Sequence, residues 1–145
     1  MSSSVAVSNV KRKFILFADA DAKTTNTIPL DANQFVSQTL LILLGYQRPI
    51  ALDYDPAEDR VYWTDISQGR IMSAFLNATS IKVLFRCNVQ SPEGLAIDHQ
   101  GRNMYWTDTG TNSIEVGRLD GSKRKLLIKS GLDEPRAVLL DERNE

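Results

Sequence analysis

One cysteine and one histidine are all that 145 residues carry of the two most reactive side chains. A single thiol, Cys87, excludes an internal disulfide framework, and its plainest reading is a small buried hydrophobe. A catalytic thiol would want an imidazole beside it. The one histidine, His99, falls in a predicted turn, His99-Gln100-Gly101, which argues against such a pair. Zinc-ligand spacing, a glycine-rich phosphate loop, a calcium-loop pattern and a nucleophile motif are all missing. No catalytic residue, metal or cofactor is therefore expected. The formal net charge of −1 gives no pull towards nucleic acid or an anionic membrane. Two short basic clusters, Lys11-Arg12-Lys13 and Lys123-Arg124-Lys125, read as solvated surface. The apolar run Leu40–Leu44 is far too short to cross a bilayer. The stretch Met1–Asn9 has no charged start followed by an apolar core, so no secretory leader is predicted.

What is present is a soluble composition, 42% hydrophobic and 24% charged, and a repeat. Tyr62-Trp63-Thr64-Asp65 recurs as Tyr105-Trp106-Thr107-Asp108, a shift of 43 residues. Pro49, Pro92 and Pro135 keep that shift, as do Ile28, Ile71 and Ile114. So do Leu40, Val83 and Leu126, the apolar set Tyr46, Val89 and Leu132, and the turn formers Gly45, Asn88 and Gly131. A period near 43 is that of a four-stranded propeller blade.

The local pattern agrees. Arg60–Asp65 and Met104–Asp108 are rich in β-branched and aromatic residues, and Arg70–Leu76 and Ser113–Leu119 alternate. Leu40–Leu44, Ile81–Phe85 and Lys125–Ile128 read as short strands. Three apolar runs led by proline, Pro49–Asp53, Pro92–Asp98 and Pro135–Asp141, read as central strands closed by Asp53, Asp98 and Asp141. Turn signals such as Asp55-Pro56, Gln68-Gly69 and Asp120-Gly121 punctuate the chain too often for a helical solenoid. The expected organisation is a disordered segment 1–13, a divergent first unit 14–49 and repeats 50–92 and 93–135. The first strand of a truncated further unit follows at 136–145. In the first unit Phe14–Asp19 takes the tetrad's place, and Ile28 stands where Ile71 and Ile114 stand.

With two Tyr-Trp-Thr-Asp tetrads and Pro92-Glu-Gly-Leu-Ala-Ile-Asp98 between them, the sequence resembles the class B repeats of the low-density lipoprotein receptor family. The resemblance covers about residues 14 to 141. It implies an all-β fold, a partial YWTD β-propeller with about three four-stranded blades of a six-bladed family fold. Six units would need on the order of 260 residues. An open arc would expose end faces, so marginal stability or self-association is expected. The segment Tyr105–Gly121 with Asp133–Ala137 looks most like the Wnt co-receptor branch. The agrin-binding receptor, lipoprotein-type endocytic receptors and matrix or adhesion propellers are the alternatives.

The resemblance implies an extracellular part of a plasma-membrane receptor that binds protein ligands, Wnt or its antagonists. It implies neither nucleic acid nor direct membrane contact. Tyr62, Trp63, Thr64, Asp65, Tyr105, Trp106, Thr107 and Asp108 read as structural. The aromatics supply packing area with polar tips that need partners, and the aspartates tie the following loops. Those loops carry the ligand-binding candidates Ile66, Gln68, Arg70, Thr109, Thr111 and Asn112. Asn77-Ala78-Thr79 is a candidate glycosylation site, Asn77 being the acceptor.

Overall fold

Every ladder among the described residues is built from strands adjacent in sequence, as short loops between alternating segments dictate. The structure, a computed structural model, describes residues 13–30, 38–42 and 47–141. The first sheet contains β1 (Phe14–Asp19), β2 (Thr24–Pro29) and β3 (Gln38–Ile42). The second contains β4 (Pro49–Asp55), β5 (Arg60–Asp65), β6 (Arg70–Phe75) and β7 (Lys82–Phe85). The third contains β8 (Pro92–Asp98), β9 (Asn103–Asp108), β10 (Ser113–Arg118) and β11 (Lys125–Ile128). All pairings are antiparallel. The expected disordered segment lies, apart from Lys13, outside the described residues.

The three hairpins at the tetrad position share one geometry. Asp19 pairs with Thr24, Asp65 with Arg70 and Asp108 with Ser113, across loops of equal length. The last loop residue is left-handed each time: Lys23 at φ 56°, Gly69 at 58° and Asn112 at 49°. Glycine is forced at position 69, because a Cβ there would also strike the Val89 carbonyl. This common turn corrects the first unit. Its hairpin is displaced by 46 residues, so Thr25, not Ile28, stands where Ile71 and Ile114 stand. Turn length, rather than the position of an isoleucine, sets hairpin register.

Alternation along the strand sends the two aromatics of one tetrad to opposite sides of their sheet. Tyr62, Ile71 and Phe85 pack with Leu95, Ile97, Met104, Trp106 and Leu119 of the third sheet. Val61, Trp63 and Met72 pack the other way, with Leu16 of the first sheet against them. Tyr62, Trp63 and Trp106 are completely buried. Phe85 stacks on Trp106 with ring centroids 5.0 Å apart, and a Cβ on Gly117 would run into the Phe85 ring. Tyr105, facing away from the second sheet, is only half-buried. The expectation that the polar tips find partners does not hold among the described residues. Tyr62 Oη, Trp63 Nε1 and Trp106 Nε1 are buried without a hydrogen bond. Burial of large apolar rings outweighs that cost.

Three further differences have plain causes. The strand β4 continues two residues past Asp53, and Asp55 is the residue that aligns with Asp98. Asp53 instead reaches the neighbouring sheet, where its Oδ2 accepts the Ile97 N–H at 2.8 Å. Residues Pro135–Asp141 form no ladder, since a strand requires a bonded neighbour. They lie along the start of β8, where the Arg136 carbonyl accepts a hydrogen bond from Thr107 Oγ1. Cys87 is exposed, not buried, because it sits in the turn after β7 at the outer side of the sheet.

Candidate ligand face

At one end of all three sheets the tetrad strands run out into loops, and two buried carboxylates hold those loops in place. Asp65 Oδ1 accepts the Arg48 N–H at 2.9 Å, the Ser67 N–H at 3.2 Å and the Ser67 hydroxyl at 2.7 Å. Its Oδ2 accepts Arg70 Nε at 3.2 Å and Nη2 at 2.7 Å. Asp108 Oδ2 accepts the Gln90 N–H at 2.8 Å. Its Oδ1 takes the N–H groups of Ser91, Gly110 and Thr111 at 2.9, 3.0 and 3.2 Å. Each carboxylate thus joins the loop entering its sheet to the turn leaving the tetrad strand.

Thr64 and Thr107 serve the same end of the sheet. The ladder between β4 and β5 slips between Pro49 and Leu52, and that between β8 and β9 slips between Pro92 and Gly94. The displaced N–H groups of Ala51 and Gly94 are accepted by the Thr64 and Thr107 hydroxyls at 3.0 and 2.9 Å. A bulge would otherwise strand these donors.

Burial pushes the Asp65 carboxyl up, but the Arg48 N–H, the Arg70 guanidinium and Ser67 more than offset it and hold its pKa below the ordinary 3.8. At the opposite end of the sheet, burial raises the Asp55 carboxyl while Arg102 and the Ala57 N–H bring it down, again to below 3.8. Arg102 Nη2 lies 2.7 Å from Asp55 and 2.9 Å from Glu58.

The six ligand-binding candidates do not converge on one pocket. Ile66 is half-buried and its N–H donates to the Arg48 carbonyl at 3.1 Å. Gln68 is exposed. Arg70 is drawn onto Asp65, with its side chain only 18% exposed. Thr109 Oγ1 reaches Glu93 Oε1 at 3.1 Å. Thr111 Oγ1 is 2.6 Å from Ser113 Oγ, and Asn112 Oδ1 accepts the Glu134 N–H at 2.9 Å. Thr111 also borders a groove of about 590 Å³ between the second and third sheets, with Gln90, Glu115 and Arg124 on its walls.

Glu93 and Arg136, which the sequence does not single out as site residues, also meet at this face. Arg136 Nη1 pairs with Glu93 Oε2 at 2.6 Å, and Nη2 with Glu134 Oε2 at 3.0 Å. Glu93 and Arg136 are 43 residues apart, so they occupy one repeat position on neighbouring units. Opposite charges at one repeat position were the available signal. Asn77 is exposed in the turn after β6, where its Oδ1 accepts the Thr79 N–H at 3.1 Å and hydroxyl at 2.6 Å. Among the described residues no three His, Cys, Asp or Glu side chains cluster as metal ligands, and no helix is long and apolar enough to cross a membrane.

The family model for low-density lipoprotein receptor repeat class B matches residues 59–99 and 102–142. Over 73 residues the chain is 39% identical to low-density lipoprotein receptor-related protein 5 of Mus musculus and of Homo sapiens. That match takes in 50% of this chain and 4% of each receptor. A solved structure titled as a nidogen/laminin complex superposes with a TM-score of 0.77 at 35% identity, covering 85% of this chain and 47% of the other. Virginiamycin B lyase of Staphylococcus aureus superposes at a TM-score of 0.66 and 12% identity, covering 85% of this chain and 40% of the lyase, a likeness of fold alone. With both tetrads inside the matched repeats and the sheets arranged as above, this chain belongs to the low-density lipoprotein receptor class B repeat family and is a partial YWTD β-propeller.

Proposed function

We propose that the chain is a non-enzymatic, protein-binding propeller segment of a receptor-related protein of the Wnt co-receptor type, exposed outside the cell. The likeness to low-density lipoprotein receptor-related protein 5 across the tetrad repeats carries this reading. The loop face supports it physically. Its backbone is tied down by Asp65 and Asp108, so a partner would meet a surface already ordered. Ile66, Gln68, Thr109, Thr111 and Asn112 are the proposed contacts. Arg70 contributes through Asp65, by shaping the loop.

Immobilised chain should bind a Wnt protein or one of its secreted antagonists in a surface-binding assay. Gln68→Glu, at an exposed loop position, should weaken that binding at least several-fold with an unchanged circular dichroism spectrum. Full binding by Gln68→Glu would remove this loop from the interface, and silence towards every Wnt-pathway ligand would remove the co-receptor reading. A matrix role is the second reading, favoured by the 35% identity to the nidogen structure, and laminin is its probe in the same assay. Outside the cell, Asn77 would carry a glycan. Expression through a secretory host should then give a mass excess that peptide N-glycosidase removes and Asn77→Gln abolishes.

A further inference from the structure

The basic cluster Lys123-Arg124-Lys125 splits three ways in the structure. Arg124 turns inward. Its guanidinium bonds Glu115 at 2.6 and 2.8 Å and lies over the Trp106 ring. It also donates to the Cys87 and Asn88 carbonyls in the turn after β7, and so ties the third sheet to the second. Lys125 pairs with Val116 on the face turned away from the second sheet, whereas Glu115 and Leu126 share the near face. Lys123 is exposed and lines a hollow of about 550 Å³ between the two sheets, with Arg86 on the same wall.

This hollow shares Cys87 and Arg124 with the groove that reaches Thr111, and the two form one trough along the edge strands β7 and β11. Both of its walls belong to this chain. Lys129 lines the part nearer Thr111. Arg86, Lys123 and Lys129 are exposed and make no ion pair among the described residues. The charge of Arg124 is balanced by the buried Glu115, so the unbalanced charge of the trough is positive. Lys123 and Lys129 stand six residues apart, no more than about 20 Å at a strand's rise of about 3.3 Å per residue. Beyond Leu84, Glu58 and Asp120 share a smaller cavity with Lys82, and the basic stretch ends there.

We propose that this trough binds a sulfated polysaccharide of the heparan sulfate class. Cations spread along a trough match a repeating polyanion better than a single anionic group. Neutral hydrogen-bonding side chains, Asn88, Gln90 and Ser113, stand among them and suit sugar hydroxyls and sulfate oxygens. The bridge made by Arg124 fixes both walls before a ligand arrives, which lowers the cost of binding. The choice of this polyanion rests on the extracellular reading above, while the basic trough itself does not. One end of the trough opens beside Thr111, so a bound chain would reach the loop face.

Heparin affinity chromatography of the intact chain at neutral pH and about 0.15 M salt tests the proposal. The net charge there is −1, so retention would report a local basic site and not overall attraction. The chain should be retained, and released by higher salt. Arg86→Gln, Lys123→Gln and Lys129→Gln together should weaken heparin binding at least about tenfold with an unchanged circular dichroism spectrum. Free passage of the wild-type chain overturns the proposal. So does retention that survives the triple change, or that is lost instead on replacing Lys11, Arg12 and Lys13, which would place binding at the other basic cluster. Polyglutamate or duplex DNA competing as well as heparin, charge for charge, would overturn the choice of a sulfated sugar. Should the triple variant lose its sheet spectrum, Lys129→Gln alone should still lower the eluting salt, and unchanged elution would overturn the site. A chain that binds a Wnt-pathway ligand but not heparin loses only the polysaccharide site, and one that binds heparin but no such ligand loses only the co-receptor reading.

Discussion

Trp106→Ala is expected to destabilise the chain by about 3–5 kcal/mol. The indole is fully buried, stacks with Phe85 at 5.0 Å and lies under the Arg124 guanidinium at 5.5 Å. Its removal takes apolar area out of the cluster that joins the second and third sheets, and leaves a cavity that strands on both sides are too stiff to fill. A domain of this size is stable by only about 5–15 kcal/mol, so the loss would take up a large share of its folding free energy. Urea unfolding followed by circular dichroism measures the effect. Tyr105→Ala is the control. It removes the neighbouring aromatic of the same tetrad, half-buried on the opposite face. It should cost well under half as much. Equal losses would show that the tetrad acts through its strand rather than through the face each ring covers.

Arg70→Glu should be the most damaging change at the loop face, costing at least about 3 kcal/mol at neutral pH. The sequence alone casts Arg70 as a ligand-binding candidate in the loop after the tetrad. In the structure its guanidinium is committed to a carboxylate with no exposure of its own. Reversal would set a second carboxylate against Asp65.

In the native chain the Asp65 pKa is held below 3.8, so its contribution is complete above that value and drains away as the pH falls below it. In the variant the sign inverts. Two adjacent carboxylates raise one pKa above its unfolded value, so the penalty is full at neutral pH and shrinks as acid supplies the shared proton. Melting temperatures at pH 7 and pH 5 should therefore lie far apart for native and variant in the first case and closer together in the second. A gap of constant width would reject the electrostatic account. Arg70→Ala should cost less, since Arg48 and Ser67 still bond Asp65.

Much of the fold could be read from residue order. Strand identity followed from period-two patterning and β-branched content, and the blade-like unit from the recurrence of Tyr-Trp-Thr-Asp. The ends of elements were harder. The proline-led run ends at Asp53 in the sequence because a second carboxylate, Asp55, reads as part of the turn with Pro56, although Asp55 and Asp98 are 43 residues apart and β4 runs on to Asp55. The 43-residue shift places Ile28 opposite Ile71, whereas the turn of the first unit places Thr25 there. Pro135–Asp141 has a strand's composition but no ladder to join.

The sequence by itself determined a tandem of antiparallel sheets, because turn chemistry and alternation act over a few residues and both recur with the repeat. It also determined family membership, which rests on the same tetrads. Tertiary structure alone decided what crosses from sheet to sheet. Asp53 meets Ile97 and Asp55 meets Arg102 over separations of 44 and 47 residues. The same packing decided that Trp63 and Tyr62 serve opposite neighbours, and that Glu93 and Arg136 form a pair. Such contacts depend on how one sheet is rotated against the next, and that rotation is set by the summed packing of whole faces rather than by any short stretch of chain.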